Sequence, residues 1–352
     1  MYNSSFIEKF TQWEYWPSYM FYIPNLPYAL YLTLKGRNMT LYSVINPSIK
    51  NSGNGTESKY KTLELIPNHL KPKTIFVAKE RDFEKIIIQL HKSGIDYPLI
   101  AKPDIGFKGM LVKKIYSDNE LQHYLNAYQL DIIIQEFIDL PNECGVFYHR
   151  LPNSEKGSIT SLTLKSFLSV TGNGISSLAD LVRFDKRAQH YIEMLEKNHK
   201  KMWHSIPDKG KVVLLSDIGN HARGTQFING NHLIDSRLES VFDEVNTSIK
   251  GWYYGRMDIK YQSMEDLKKG KNFCILEING TISEPTHMYD PYRTTYFKAL
   301  KLIRQHWYYI YQIGVQNLKK GVPSKKFFTY WKETYWLIGY VKKVTKLAKS
   351  SS

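Results

Sequence analysis

Residues 255–280 read GRMDIKYQSMEDLKKGKNFCILEING and predict two antiparallel β-strands joined by a loop of about ten residues. Alternate residues of a strand point to the same face. On the first strand this places Arg256, Asp258 and Lys260 together, with apolar or aromatic side chains between them. On the second strand, Glu277 and Asn279 share a face. Each strand is therefore expected to have one polar face and one apolar face.

The two acidic residues of these strands predict a cation site. A register near 258 opposite 277 makes Asp258 and Glu277 cross-strand neighbours, and like charges in that position destabilise a sheet unless a cation lies between them. Two carboxylates and the amide oxygen of Asn279 are hard ligands suited to Mg²⁺, which also takes phosphate oxygens. The alternative is a pair of solvated charges on an exposed sheet face. The opposite, apolar face of the second strand is predicted to carry Cys274, Leu276 and Ile278.

A second polar feature is a lysine within an apolar strand. The stretches YPLIAKP (97–103) and GMLVKKI (109–115) predict short strands, and Lys102 lies in the first. A buried lysine needs a partner, which a phosphate or a neighbouring carboxylate would supply. Asp104, Gly106 and Gly109 follow, and the amides of a glycine loop can fold over phosphates. An ordinary hairpin turn is the alternative, since no G-x-x-x-x-G-K-[ST] pattern is present.

The rest of the body mixes helices and strands. Hydrophobic periodicity and capping residues predict helices at 81–93, after Ser117, from Ser176 or Ser177 toward Lys200, and at 236–248. Apolar runs predict strands at 132–138, 145–151, 158–170 and 211–219. Because these elements do not follow a strict βαβ alternation, the pattern favours an α+β fold with mostly antiparallel sheets.

Length and composition exclude several classes of protein. The chain has 352 residues, of which 42% are hydrophobic, so it is too apolar to be disordered throughout. The sequence has no internal repeat, which excludes coiled coils and solenoids. Its two cysteines, Cys144 and Cys274, are too few for a disulfide scaffold or a cysteine-rich zinc site. This cysteine usage fits a cytoplasmic location.

The net charge of +15 is concentrated near the C-terminus. Residues 298–352 hold 12 Lys and Arg residues and one acid, Glu333. Residues 326–349 predict a basic amphipathic helix, a type that lies on anionic membrane surfaces. The alternatives are a helical extension packed on the body and a nucleic-acid contact. The apolar stripe of this helix is predicted at Phe327, Trp331, Ile338 and Val341.

The N-terminal segment is aromatic and uncharged over a long stretch. From Tyr15 to Leu34 the sequence YWPSYMFYIPNLPYALYLTL contains no charged side chain. Its length approaches that of a membrane span, but its three prolines break a helix. Trp and Tyr favour the headgroup layer, so contact with the membrane interface and packing on the main domain are the stronger alternatives. With the basic tail, this segment predicts an enzyme peripheral to the inner face of the membrane.

Several motifs in a fixed order resemble the ATP-grasp superfamily over roughly residues 57–291. Lys59 precedes Lys102 by 43 positions, and PLIAKP is followed by the glycine loop DIGFKGM. The hinge motif appears as QEFI (135–138), and SVTGNGISSLADLV (169–182) is similar to part of cyanophycin synthetase. The terminal R-x-D and E-x-N pairs complete the pattern. The chain most resembles carboxylate–amine ligases of the D-alanine–D-alanine ligase type.

The resemblance implies roles for particular residues. It implies ATP binding by Lys59, Lys102, Asp104, Gly106, Lys108, Gly109, Gln135, Glu136, Phe137, Ile138 and Glu143. It implies that Asp258, Glu277 and Asn279 hold Mg²⁺ between the ATP phosphates. Arg256 would stabilise a charged intermediate, and Lys165 and Arg223 are further candidates, for which a structural surface role is the alternative. Glu284 and His287 fall where a second substrate would lie.

The implied reaction is an ATP-dependent ligation. A carboxylate and ATP would form an acyl phosphate, which an amine or a thiol attacks, releasing ADP and phosphate. The alternatives are an ATP-grasp small-molecule kinase and a non-catalytic nucleotide-binding or membrane-associated protein.

The predicted domains are an aromatic N-terminal segment (1–56), a catalytic domain (57–291) with two α+β subdomains enclosing ATP and a hinge near 135–143, and a basic helical extension (292–352). Only 58 residues precede Lys59. The D-alanine ligases have a full domain before the corresponding lysine, so the sequence departs from them here.

Overall fold

The computed structural model describes residues 13–107, 109–216, 219 and 223–350. Lys108, which the sequence predicted to bind the nucleotide, lies outside the described residues. The strands are β1 Thr74–Val77, β2 Leu99–Pro103, β3 Lys113–Ile115, β4 Ile132–Glu136, β5 Asn142–His149, β6 Ser158–Ser166, β7 Ser169–Thr171, β8 Val212–Leu214, β9 Gln226–Asn229, β10 Tyr254–Tyr261 and β11 Phe273–Asn279. The helices are α1 Tyr19–Tyr22, α2 Leu26–Lys35, α3 Lys59–Leu63, α4 Phe83–Ser93, α5 Asp118–Ala127, α6 Leu178–Phe184, α7 Ile192–Asn198, α8 Ser236–Ser248, α9 Met264–Leu267, α10 Tyr296–Lys319 and α11 Phe327–Ser350.

The first sheet has the order β1-β4-β2-β3, and all its strand pairs are antiparallel. Helices α4 and α5 pack on it through their apolar faces. Helix α5 begins where the hydroxyl of Ser117 accepts a hydrogen bond from the Glu120 amide. Helix α4 ends at Gly94, whose φ of 60° suits the left-handed C-cap. These boundaries match the sequence prediction.

The second sheet has the order β11-β10-β5-β6-β9 and is antiparallel throughout. Helix α8 covers one of its faces with Leu238, Phe242 and Val245. The segment 137–141 links the last residue of β4 to the first of β5 and therefore joins the two sheets. The α+β architecture with antiparallel sheets is thus confirmed.

The predicted register of β10 and β11 is confirmed, since Asp258 is paired with Glu277. The predicted apolar face of β11 is wrong, because the register shifts after Asp258 and pairs Ile259 with Ile275. This β-bulge leaves Leu276 as the extra residue. Ile275 and Ile278, rather than Cys274 and Leu276, are the β11 residues buried in the core.

A third, smaller layer follows β6. Strands β7 and β8 form a two-stranded sheet, and helices α6 and α7 pack on it around the buried Trp203. The single long helix predicted toward Lys200 is wrong, because the chain turns after Phe184. The carboxylate of Asp185 accepts hydrogen bonds from the amides of Arg187 and Ala188, which caps a new turn.

The N-terminal segment packs against the long helix α10. The side chain of Asn25 donates to the Leu300 carbonyl at 3.2 Å and accepts from Arg304 at 2.6 Å. Phe21 is fully buried in a cluster with residues of α10. Within the described part of the chain, no helix has both the length and the apolar character that crossing a membrane requires.

Helix α11 packs its second half on the first sheet's core. Val344 is fully buried there, with Tyr340 and Leu347 against the same cluster. The apolar stripe predicted for this helix is not the face that packs on the body, because Trp331 and Ile338 are about half exposed, at 53% and 51%. The tail is therefore, in part, a helical extension packed on the body.

Candidate active site

A cleft of about 1420 Å³ lies between the two sheets and exceeds the roughly 300–1,000 Å³ of a single small-molecule pocket. The first sheet and the linker 137–141 form one wall, and β5, β6, β10 and β11 form the other. Residues of the N-terminal segment close one side. The cleft therefore has room for a nucleotide and a second ligand together.

Two carboxylates meet in this cleft. Asp258 and Glu277 are directly opposite each other on β10 and β11. The amide nitrogen of Asn279 lies 3.2 Å from Oδ2 of Asp258 and 3.1 Å from Oε1 of Glu277. All three predicted metal ligands therefore converge on one point.

Three cationic side chains neutralise these carboxylates. Lys59 contacts Glu277 at 2.7 Å, and Arg256 contacts Asp258 at 3.0 Å. Lys165 contacts both Asp258, at 2.9 Å, and Glu143, at 2.6 Å. The side chains of Lys165, Asp258 and Glu143 are almost fully buried. The cluster forms because Lys165, Glu143, Asp258 and Glu277 lie on adjacent antiparallel strands that share a face.

Lys102 is the exception in this network. It is 8% exposed, and its ammonium donates to the neutral side chain of Gln135 at 3.1 Å. Among the described residues, none supplies a carboxylate within 4.0 Å of this ammonium. The Nε of Arg256 is likewise buried and has no hydrogen-bond partner in the described chain. Both groups are therefore suited to an anionic ligand.

Burial and charge compete in setting the pKa values of the cluster. Burial by itself would raise the pKa of Glu277, but the charges of Lys59 and Lys102 hold it well below its usual range. Burial lowers the pKa of Lys102, and only part of that effect is offset by the nearby carboxylates. For Lys165, the attraction of Asp258 and Glu143 outweighs burial and raises the pKa. The Glu277 carboxylate is therefore ionised at neutral pH.

The donor set fits Mg²⁺. Asp258, Glu277 and Asn279 offer hard oxygen ligands, and rotating the Asn279 amide by half a turn would replace its nitrogen with the oxygen. No group of three or more His, Cys, Asp or Glu residues suited to a metal occurs in the described part of the chain. A cation here would therefore rely on two carboxylates, the amide and ligand oxygens.

The glycine loop between β2 and β3 borders the cleft through Gly106 and Gly109. Gly109 has a φ of 68°, which favours glycine. Asp104 does not line the cleft. Its carboxylate accepts from the Tyr60 amide at 2.8 Å and the Ser58 hydroxyl at 2.9 Å, so it orients the helix that carries Lys59 instead.

The end of β4 and the whole linker line the cleft, from Gln135 to Pro141. The ring of Phe137 lies 3.4 Å from the ammonium of Lys114 and 5.6 Å from that of Lys260. Glu143, which the resemblance implied in ATP binding, also lines the cleft, and its carboxylate is paired with Lys165. Glu136, Phe137 and Ile138 therefore remain predicted ATP contacts.

Glu284 lies in the cleft and is held by two tyrosines. Its carboxylate accepts from the hydroxyl of Tyr289 at 2.9 Å and from that of Tyr22. The backbone carbonyl of Glu284 lies 3.5 Å from Nη1 of Arg256. A carboxylate in the cleft is suited to binding an ammonium group.

Two predicted site residues lie elsewhere. His287 is 3% exposed and hydrogen bonds the Ser161 hydroxyl at 2.6 Å in the interior of the body, outside the cleft lining. Burial lowers its pKa to about 4, so it is neutral at neutral pH. Arg223 also lies outside the cleft lining, and its Nη1 is 3.8 Å from Sδ of Met194.

Sequence reasoning missed several residues of the cleft. They are Glu14, Tyr15, Trp16 and Tyr22 of the N-terminal segment, Phe107 and Met110 of the glycine loop, and Lys114, Phe167, Leu276 and Tyr289. The alternation that grouped Lys260 with Asp258 could have identified Lys260 as another. Nothing local in the sequence links the N-terminal tyrosines to a site more than 200 positions away.

Comparisons with known proteins give matches to solved structures only. No family model matches the sequence, and no curated protein sequence does. A bifunctional glutathione synthetase from Pasteurella multocida is similar over 67% of this chain and 35% of its own chain, with 14% identity and a TM-score of 0.36. The VanG D-Ala:D-Ser ligase from Enterococcus faecalis is similar over 71% of this chain and 61% of its own chain, with 14% identity and a TM-score of 0.41.

A D-alanine–D-alanine ligase from Bacillus anthracis is similar over 72% of this chain and 68% of that chain, with 14% identity and a TM-score of 0.40. Similarity at this level does not identify an activity.

Proposed function

We propose that this protein is an ATP-dependent ligase that joins a carboxylate to an amine or a thiol through an acyl phosphate, releasing ADP and phosphate. The observation that carries the proposal is Lys102, a buried ammonium in the cleft whose hydrogen-bond partner is the neutral Gln135. A buried cation without an ion pair is costly, and a nucleotide phosphate would supply the missing charge.

The proposed roles follow from position. Lys59 and Lys102 would bind the phosphates, and the glycine loop would cover them. Asp258, Glu277 and Asn279 would hold Mg²⁺, which when bound neutralises phosphate charge and acts as a Lewis acid. Arg256 would stabilise negative charge at the acyl centre through its unpaired Nε.

The chemistry would proceed in two displacements. A carboxylate oxygen of the acid attacks the γ-phosphorus of ATP, and the bond to the ADP oxygen breaks. The nitrogen of a neutral amine then attacks the acyl carbon, the C–O bond to phosphate breaks, and the departing phosphate takes up a proton of the amine. Glu284, between Tyr22 and Tyr289, would hold the incoming amine.

The test combines purified protein and Mg²⁺-ATP with pooled carboxylates and amines. The proposal expects ADP and phosphate only with a particular acid–amine pair. An acid labelled with ¹⁸O in its carboxylate should transfer one label to the released phosphate, because its oxygen becomes the bridging oxygen of the acyl phosphate.

Two variants and a matched control make this test specific. Asp258→Asn and Glu277→Gln should abolish turnover, whereas Glu265→Gln, at an exposed carboxylate on α9, should not change it. A phosphorylated product with no free phosphate would indicate a kinase instead. ATP binding without turnover in any pool would favour a nucleotide-binding protein over a ligase.

A further inference from the structure

The N-terminal helical segment presents an apolar stripe to solvent. Helices α1 and α2 and the 3₁₀ turn between them run from residue 19 to residue 35. Side chains at helical spacing along this segment are each more than half exposed, over about 22 Å. They are Tyr19, Ile23, Leu26, Leu30 and Leu34, with exposures of 57%, 58%, 54%, 55% and 62%.

Helix α10 lies beside this segment and runs in the same direction. Arg304 contacts Asn25 near one end, and the Tyr311 ring lies 5.5 Å from the ammonium of Lys35 at the other. Arg304 and Tyr311 belong to a helical stripe whose other members are exposed on the same side of α10. These members are Phe297, Lys301 and Tyr308. We call the two stripes together, with Lys35, the α2–α10 face.

Every charged side chain of the α2–α10 face is cationic. The sequence has no Asp or Glu from Tyr15 to Thr56 and only one, Glu333, after Asp290. Glu333 is already paired with Lys325 at 2.6 Å and accepts from Asn51 at 2.7 Å. An exposed apolar stripe is therefore bordered by Lys35 and Lys301, without an acid from either element.

We propose that the α2–α10 face binds the surface of an anionic phospholipid bilayer. Its aliphatic stripe would enter the boundary between headgroups and acyl chains, its tyrosines would lie at headgroup level, and its lysines would contact lipid phosphates. Nucleic acid fits this surface less well, because Ile23, Leu26 and Leu30 cannot stack on bases. The exclusively positive charge complements an anionic bilayer. This inference does not depend on the proposed ligase activity.

The test is co-sedimentation of the full chain with vesicles of phosphatidylcholine containing one third phosphatidylglycerol, compared with vesicles of phosphatidylcholine only. The protein should bind the anionic vesicles, and salt should weaken that binding. The double variant Leu26→Ser/Leu30→Ser should lower the partition coefficient about tenfold or more. Ile88→Ser is the matched control, because Ile88 is 54% exposed on α4, remote from this face in the sequence.

A second pair of variants tests the charge. Lys35→Glu/Lys301→Glu should weaken binding to the anionic vesicles, whereas Lys200→Glu/Lys201→Glu, two exposed lysines beyond α7, should not. All of these side chains are exposed, so the variants should keep their circular dichroism spectra and melting temperatures.

Three outcomes would overturn the proposal. The first is no binding to the anionic vesicles at low salt. The second is binding that responds to the lysine pair but not to the leucine pair, which would indicate a general polyanion surface such as one for nucleic acid. The third is dimerisation by light scattering that the leucine variant abolishes, without vesicle binding, because a second copy of the chain would then cover the stripe.

Discussion

The ammonium of Lys59 and the carboxylate of Glu277, 218 positions apart in the sequence, form an ion pair of 2.7 Å. Lys59 begins the short helix α3, which the side chain of Asp104 holds against the end of β2. Glu277 lies on the last strand of the other sheet. The pair therefore joins α3 to the second sheet within the cleft, where a phosphate group would compete for the lysine.

Replacing Lys102 should separate nucleotide binding from stability. Lys102→Met removes a buried ammonium that has no ion-pair partner in the described chain, so the free energy of unfolding should stay the same or rise by about 1 kcal/mol. The affinity for ATP should fall about tenfold or more, because the variant cannot donate to a phosphate. Calorimetric titration with ATP and urea unfolding measure the two effects.

The control for Lys102 is Lys92→Met, at an exposed lysine of α4. It should leave both ATP affinity and stability unchanged. Unaltered ATP affinity in Lys102→Met would mean that the lysine does not bind phosphate.

The Asp258–Lys165 pair should be energetically coupled. Asp258→Asn leaves the buried Lys165 and Arg256 with less compensating charge, and we expect a loss of about 3 kcal/mol in the free energy of unfolding. The loss in the double variant with Lys165→Met should be smaller than the sum of the two single losses, because the ion pair between these two residues is broken only once. A double-mutant cycle by urea unfolding measures the coupling, and purely additive effects would contradict it.

His287 should influence stability in acid, because it is buried and neutral. Its native pKa is about 4, against an ordinary value of 6.5, so the unfolded chain binds a proton that the native protein excludes. The free energy of unfolding is therefore unaffected by this histidine above pH 6.5. As the pH falls from 6.5 toward about 4, the free energy of unfolding decreases by roughly 1.4 kcal/mol per pH unit.

The variant His287→Asn should reduce this slope, because asparagine can still hydrogen bond Ser161 but does not titrate. The measurement is urea unfolding at several pH values between pH 7 and pH 4, a range that ends at the native pKa of about 4. His149 and His306, whose pKa values burial lowers to about 4 and about 3, should still contribute. An unchanged slope would show that His287 titrates normally.

Replacing Tyr22 should change the KM for the amine substrate more than the KM for ATP. Tyr22→Phe removes a donor to the buried side of Glu284, which should cost about 1.5–3 kcal/mol of stability. Because Tyr22 also lines the cleft, the KM for the amine should rise while that for ATP stays constant. Steady-state kinetics measure the two KM values, with Tyr19→Phe as the control because Tyr19 is an exposed neighbour. An equal change in both KM values would contradict the prediction.

Local sequence patterns were sufficient for much of the fold. The alternation at 256, 258 and 260 predicted which side chains enter the cleft, and the Ser117–Glu120 capping box predicted the start of α5. Such patterns succeed because the two-residue period of a strand and the capping of a helix depend on residues close together in the chain. The convergence of Asp258, Glu277 and Asn279 followed from the same rule.

Only the tertiary structure decided which groups those side chains meet. The bulge at Leu276, the use of Asp104 to hold α3, the pairing of Glu143 with Lys165 and the contact of Tyr22 with Glu284 all depend on how separate elements pack. The last of these joins residues 262 positions apart, a separation over which no local periodicity carries information. The sequence by itself determined which charged and amide side chains are present and that Asp258, Glu277 and Asn279 share one face of the sheet. Packing determined which charges are neutralised by ion pairs and which, such as Lys102, have no ion-pair partner in the described part of the chain.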